Sequence, residues 1–335
     1  LKLYKLSQFA ASLLACACAA AAFAQNHPEK PTIVAELGPP PSWAYAVNPP
    51  ASGSDAQNRP KDDAPRHLTG STAAFTPAQI SDLYWAVDWH PDGHPAMPDV
   101  VAHGRTPEVF ACGYCHLPNG QGRPENASLA GLPAAYITRQ MADFRDAHRK
   151  ASEPRQRPIS YMVDIGSKAN DAEVHAAADY FSSLRPKEWI RVVETKTVPK
   201  TRVAGWMLVP TAGREPIGDR IVETAVNLEQ TELRDDDSGF IAYVPVGSIA
   251  KGKALVTAGA GKTIPCSICH GSDLRGKNDV PSIAGRSPSY IIRQLYDIRS
   301  GARAGTNTAL MKPTVAKLTL DDMVSIAAYT SSLHP

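Results

Sequence analysis

Two stretches of this 335-residue chain, Cys112-Gly113-Tyr114-Cys115-His116 and Cys266-Ser267-Ile268-Cys269-His270, carry the same Cys-x-x-Cys-His pattern 154 positions apart. The shift holds well beyond the motif. It superimposes Gly131 on Gly285, Tyr136 on Tyr290, Arg139 on Arg293, Gln140 on Gln294, Asp143 on Asp297, Arg145 on Arg299 and Arg149 on Arg303. Five extra residues in the first copy then reduce the shift to 149, which matches Met162 with Met311, Tyr180 with Tyr329 and Ser182-Ser183-Leu184 with Ser331-Ser332-Leu333. Both copies close on proline, Pro186 and Pro335. One folding unit has therefore been used twice.

The motif carries a specific chemistry. Two thiols can form thioethers with the two vinyl groups of a haem, and the adjoining histidine then places its imidazole under the iron. A thioredoxin-like redox pair, paired disulfides or a four-cysteine zinc site would also use two cysteine pairs. None of these explains a histidine directly after both pairs. The expectation is two covalently bound haem c groups, held by Cys112 and Cys115 and by Cys266 and Cys269.

Each copy reads as helical. Tyr136, Ile137, Gln140, Met141 and Phe144 recur at steps of three and four, as do Tyr290, Ile291, Gln294, Leu295 and Ile298. Asp171 opens a later helix through Ala176, Ala177, Tyr180 and Phe181. Its counterpart starts with Thr319 as N-cap and Asp322 three residues on, and runs through Ile326, Ala327 and Tyr329. Met162 and Met311 each fall in a polar Ser/Pro/Lys loop before these last helices, whereas Met141 and Met323 fall on apolar faces and read as core.

On these residues the chain resembles a class I cytochrome c duplicated in tandem, similar in its haem halves to the di-haem c4-type cytochromes of bacterial periplasms. The resemblance covers residues 97–186 and 248–335 and rests on the motif, the Tyr-Ile-x-Arg-Gln helix and the late methionine. It implies domains that carry electrons one at a time, with His116 and Met162 as axial ligands of one iron and His270 and Met311 of the other. A thioether sulfur favours ferrous iron and fills the sixth site, which disfavours substrate chemistry. The alternative for both methionines is core packing, and Met97 is a further available sulfur. Tyr136, Arg139, Arg149, Tyr290, Arg293 and Arg303 are candidates to bond haem propionates, since a partly buried carboxylate needs a paired donor. Alternatively Arg139 and Arg293 pair with Asp143 and Asp297 four residues on. In such families a proline presents its carbonyl to the proximal histidine; Pro281 fits this for His270, but Ala127 stands at the matching position for His116.

The expected architecture is mainly α: tandem class I cytochrome c domains at 97–186 and 248–335, a small β-rich insert at 187–247, and an extended Pro-rich N-terminal arm at 25–96. The insert is read from short β-branched or aromatic runs at Trp189 to Val193, Arg202 to Val209, Arg220 to Val222 and Phe240 to Val246. The c4-type family has only a short linker there. In the arm, Thr76-Pro77 starts a short helix through Val87. His90, Asp92 and His94, with His103 nearby, are ligand-capable, but three prolines make that backbone irregular and a packed loop is the expected outcome. All five tryptophans, Trp43, Trp85, Trp89, Trp189 and Trp206, lie outside the haem units, either packing the arm against the insert or forming a docking surface.

Leu6 to Ala22 follows Lys2 and Lys5 and precedes Ala22-Phe23-Ala24, which reads as a secretory signal peptide over residues 1–24 cleaved after Ala24, with a periplasmic product. A lipid anchor at Cys16 is the rival reading. Cleavage leaves 33 basic against 33 acidic residues, so net charge predicts no nucleic-acid partner. No later segment reaches the roughly 18 apolar residues of a membrane span. The expected function is single-electron transfer between redox protein partners, as a shuttle or as the electron-accepting subunit of an oxidoreductase. A di-haem peroxidase with one open haem site is the competing enzyme reading, and an assembly subunit that binds a partner through arm and insert is the third.

Overall fold

The computed structural model describes residues 37–50 and 63–335. The expected signal peptide, the alternative anchor Cys16 and the first part of the Pro-rich arm lie outside the described residues. Helices outweigh a few small sheets in the described chain, and none of its helices is long and apolar enough to cross a membrane.

The two repeats fold alike. In the first, Cys112–His116 forms one helical turn, followed by helices Ala134–Arg145, Arg157–Lys168 and Asp171–Ser183. In the second, Ser267–His270 is the corresponding turn, followed by helices Pro288–Ser300, Lys312–Val315 and Leu320–Ser331. Hydrogen bonds recur at matched places: Gly131 N to Phe181 O at 3.0 Å and Gly285 N to Thr330 O at 2.9 Å tie each central loop to the last helix. The capping box expected at Thr319 and Asp322 is present, and Asn170 with Glu173 caps the equivalent helix in the first repeat.

The second repeat carries a helix that the pattern reading omitted, Ser248–Ala258, packed along Leu320–Ser331. Gly252 lets the two approach so closely that a Cβ there would run into the carbonyl of Ser325. Leu255 and Val256, fully buried beside Val324 and Ala328, supply its core face. The matching stretch before the first motif forms only the four-residue helix Asp99–Ala102, because Pro91, Pro95 and Pro98 restrict the backbone ahead of it.

Met162 does not sit in a loop. It lies within the twelve-residue helix Arg157–Lys168, which Pro158 starts in its first turn and which carries Ile159, Met162 and Ile165 at helical spacing. Met311 does precede its helix, as the residue before Lys312–Val315.

The segment from 63 to 96 holds more than an extended arm. The two-residue strands β1 (Arg66–His67) and β2 (Ala74–Phe75) pair antiparallel, and Thr76 caps a helix that spans only Pro77–Ser81 rather than reaching Val87. Leu68, Ile80, Val87 and Trp89 form a small core against Leu233 of the insert. A few large side chains at irregular spacing build this core, so no periodicity announces it. Earlier, Tyr45 and Ala44 join the core of the second repeat, and Tyr45 Oη donates to Asp297 at 2.6 Å.

The insert is β-rich, as its composition suggests. Strand β3 (Ile190–Glu194) runs parallel to β7 (Phe240–Val244), and β6 (Val222–Ala225) pairs antiparallel on the other side of β7. Strands β4 (Thr197–Ala204) and β5 (Met207–Pro216) make a separate hairpin. The run Arg202 to Val209 is therefore a hairpin tip and not one strand. Gly205 and Trp206 both have positive φ, 58° and 60°, the pattern of a type I′ turn, whose twist matches that of the flanking strands. The insert touches both repeats: Trp189, Met207 and Phe240 pack on Leu117 just after the first motif, while Glu223 of β6 accepts from Ser287 Oγ and Ser289 N at the start of helix Pro288–Ser300.

Asp322 links the two long helices around Gly252. Its carboxylate caps Thr319 and receives Lys251 at 2.9 Å and Lys262 at 2.8 Å, with no exposure of its own side chain. Burial alone would raise this carboxyl, but the bonds from Lys262, Lys251 and Thr319 outweigh it and hold it well below the usual range. A depressed carboxyl contributes stability that is complete above its unfolded value near 3.9 and is lost as pH falls. Asp322→Asn should cost about 1–3 kcal/mol at pH 7 in urea unfolding, and the gap to the unmodified protein should shrink below about pH 4. An unchanged gap at pH 3 would show that the carboxylate charge is not the source.

Candidate functional site

In the first repeat the sequence-predicted residues meet around one cavity. Cys112, Cys115, His116 and Met162 all line it, in a shell of Val100, Val109, Leu129, Ile137, Ile165 and Phe181. It opens to solvent and is lined mainly by apolar side chains, as a site for a large flat apolar cofactor requires. Met141, read as core, lines the same cavity and packs on the surrounding core as well. Met97 packs on that core.

His116 is buried, and its Nδ1 lies 2.8 Å from the carbonyl of Ala127. His270 repeats this with the carbonyl of Pro281, also at 2.8 Å. The departure from proline at position 127 therefore leaves the bond intact, since any residue has a carbonyl to offer. With Nδ1 donating its hydrogen, Nε2 is left as the electron-pair donor, the tautomer that binds a metal. Burial pulls the His116 pKa down to about 4, and lowers that of His270 too, so neither ring carries a competing proton near neutrality.

The four described cysteines are all free thiols. Burial pushes Cys112 up to about 12 and Cys266 up to about 11 and raises Cys115. Such thiols are poor thiolates at neutral pH, which does not suit a redox-active pair. Among the described residues no group of three metal-ligand candidates contains a cysteine, which leaves the four-cysteine zinc reading without geometry. In the second repeat, Met311, Cys266 and Tyr290 pack against one core cluster.

The two motifs are not equally covered. Tyr114, between the cysteines of the first, lies under the guanidinium of Arg234 at 3.4 Å, and Arg234 also donates to the carbonyls of Tyr114 and Ile80. Ile268, at the equivalent place in the second, is 64% exposed, and Cys269 is exposed beside it.

The candidate propionate donors divide into two groups. Arg149, Tyr136 and Gln140 of the first repeat meet Arg303, Tyr290 and Gln294 of the second in a cluster with approximate two-fold symmetry. Arg149 donates to Gln140 Oε1 (2.8 Å), Tyr290 Oη (3.0 Å) and Gln294 Oε1 (3.0 Å). Arg303 returns the same bonds to Gln294 (2.9 Å), Tyr136 (3.0 Å) and Gln140 (2.8 Å). The backbone follows, with Lys150 N on Ala302 O and Ala304 N on His148 O. Burial would raise the Tyr290 phenol, yet the charges of Arg149 and Arg303 outweigh it and lower its pKa.

Arg293 and Arg139 go elsewhere. Arg293 is buried and donates to the carbonyls of Ala44 and Pro124, and Arg139 forms an ion pair of 3.5 Å with Asp279. The helical pairing with Asp143 and Asp297 is not their arrangement either: Asp143 accepts from Gln140, and Asp297 from Tyr45 and Ser152. The sequence could not show this because the partners come from the arm and from the opposite repeat. Arg286, which no motif singled out, joins the repeats through the carbonyls of Ser128 and Ala130.

His90, Asp92 and His94 do not converge. His94 faces Asp88 at 3.3 Å and Tyr180 Oη at 3.0 Å, Asp92 is exposed, and His90 meets Asp235 at 3.0 Å. His103 meets the exposed Trp85 edge-on, and Trp43, Trp89 and Trp189 are packed against the protein.

No family model matches the chain. It is 40% identical over 76 residues to cytochrome c-554(548) of Halomonas halodenitrificans, spanning 22% of this chain and 92% of that one. Cytochrome c4 of Azotobacter vinelandii is 24% identical over 232 residues, 68% of this chain and 86% of its own. The thiosulfate dehydrogenase electron acceptor of Thiomonas intermedia is 25% identical over 259 residues, 76% and 88%. A solved thiosulfate dehydrogenase from Marichromatium purpuratum aligns with 69% of this chain and 38% of its own, at 24% identity and a TM-score of 0.46. The curated relatives named are cytochromes and an electron acceptor, which leaves the peroxidase reading without support, and with the paired Cys-x-x-Cys-His turns they place this chain among the c-type cytochromes, as an electron-transfer protein akin to the cytochromes c4 rather than an enzyme.

Proposed function

We propose that the chain binds two haem c groups, one in each repeat, and passes single electrons between redox protein partners in the periplasm, as a shuttle or as the electron-accepting subunit of a dehydrogenase. The observation that carries this reading is the cavity of the first repeat, whose wall contains Cys112, Cys115, His116 and Met162 together. Its residues fit the group: half-buried thiols for thioethers, an imidazole with Nδ1 engaged, a thioether sulfur, and walls that are otherwise mainly apolar, with Asn126, Tyr161 and Glu173 as the exceptions. Matched sequence and matched Nδ1 bonds extend the assignment to Cys266, Cys269, His270 and Met311. The domain limits proposed are those of the repeats, 97–186 and 248–335, around the insert.

When bound, haem iron takes up and releases one electron. The residues of this chain supply the rest. His116 and His270 would hold the iron through Nε2 in a fixed tautomer, Met162 and Met311 would offer it a thioether sulfur, and the mainly apolar lining of the first cavity would limit the approach of water. Arg149 and Arg303 are buried, their Nε atoms are unpartnered, and their bonds go to neutral tyrosine and glutamine oxygens. Two buried guanidinium groups outnumber the single nearby carboxylate, Asp143, which accepts from Gln140 and acts on Arg303; buried charge left uncompensated costs several kcal/mol, so this cluster favours the approach of anions, and haem propionates are the anions a haem protein provides. Arg139 and Arg293 have other partners and drop out of the propionate set proposed here. Likeness to a thiosulfate dehydrogenase electron acceptor supports a dehydrogenase as the electron donor.

Two expectations follow for the haem-loaded protein. Met162→Ala and Met311→Ala should each remove half of the sulfur-to-iron absorption near the red edge of the visible spectrum and open one iron to carbon monoxide. An unchanged band in Met162→Ala would assign the sulfur to Met141 or Met97 instead. Arg303→Gln removes a positive charge beside the proposed propionates and should lower a reduction potential by tens of millivolts in a redox titration, on the order of a screened Coulomb interaction. Potentials equal to those of the unmodified protein would place the propionates elsewhere.

A further inference from the structure

The loop after helix Leu228–Glu232 brings acidic side chains to His90, and the haem sites account for none of them. His90 Nε2 lies 3.0 Å from Asp235 Oδ1, and one ligand atom each from His90, Asp235 and Asp236 lie within 4.8 Å of one another. Asp236 is 1% exposed, and its Oδ1 has no hydrogen-bond partner. A buried carboxylate oxygen without a partner is costly, and here it belongs to a group already assembled from two distant parts of the chain. Asp237 lies 3.7 Å from His90 on the outer side but is occupied by Lys187 at 2.8 Å. One lysine against three consecutive carboxylates leaves an excess of negative charge that a divalent cation would neutralise.

We propose that His90, Asp235 and Asp236 bind one divalent transition-metal ion of the zinc class, separate from the haem irons. Donor chemistry selects the class: an imidazole nitrogen disfavours calcium and magnesium, which take oxygen, and the absence of thiolate from the set disfavours copper(I). Ligand atoms held about 2 Å from one zinc ion stand a little over 3 Å apart, close to the present separation of His90 and Asp235. Three protein ligands leave a position for water, and the side chain of His90, 20% exposed, marks the entry side. The neighbourhood is braced for such a site. Trp89, adjoining His90, donates to Leu233 O at 2.8 Å, and Asn119 donates its amide to the carbonyl of Asp236. The ion would pin the 63–96 segment to the insert beside Arg234, the residue that covers the first haem motif.

The test uses the haem-loaded protein, stripped with a chelator that leaves covalent haem in place, and Zn2+ alone as the probe. Calorimetric titration and elemental analysis should find one zinc per chain beyond the haem iron. Asp236→Asn keeps the shape of the side chain and should weaken zinc binding by more than about tenfold, since loss of a ligand should exceed the loss from an outer-shell partner, while both haem spectra persist. If Asp236→Asn does not fold, His90→Gln carries the same expectation. No stoichiometric uptake by the unmodified protein, or equal uptake by it and a folded variant, would overturn the proposal and leave surface histidines as the binding groups.

Discussion

Two guanidinium groups exchanged between repeats organise this molecule. Arg149 reaches across to Tyr290 and Gln294, and Arg303 to Tyr136 and Gln140, so neither repeat completes its own hydrogen bonds without the other. Each guanidinium is buried and meets only neutral oxygens in that exchange. Charge-assisted bonds of this kind contribute roughly 1.5–3 kcal/mol apiece, enough to hold the geometry while leaving the cluster electropositive. The duplicated sequence makes the arrangement possible, because one set of side chains seen twice about an approximate two-fold axis is self-complementary.

Symmetry stops at that cluster. The first motif is overlaid by Arg234, whereas the second presents Ile268 and Cys269 to solvent. The insert packs on Leu117 of one repeat and holds the helix start at Ser287 of the other through Glu223. Removing it would therefore disturb both repeats, so its first role is packing. In an electron carrier with the two haem groups proposed, unequal cover would give them different access to partners and different dielectric surroundings, both of which bear on potential.

Much of the candidate site is legible in the sequence because the covalent attachment proposed needs a contiguous motif and because repetition marks what both copies need. The 154-residue shift found the helices at Tyr136 and Tyr290, and the capping box at Thr319 is a local signal that the fold keeps. Long-range pairing was not legible. Arg293 looks identical to Arg139 in register, yet one is buried against Ala44 and Pro124 and the other pairs at the surface with Asp279. Met162 reads as a loop residue because Ser, Pro and Lys surround it, but a proline in the first turn starts a helix as readily as it ends one. His90 stands four residues from His94 in the sequence, but the groups it meets are Asp235 and Asp236, nearly half the chain away.

The account stands or falls on the number of haem groups that one polypeptide holds covalently. Intact-mass measurement of the mature protein under denaturing conditions reads it directly, because thioether-bound haem survives unfolding. The mass should exceed that of the polypeptide by two haem groups, with Cys112, Cys115, Cys266 and Cys269 all consumed and no disulfide formed. A single haem addition, or a bare polypeptide with its cysteines free or paired as disulfides, would contradict it.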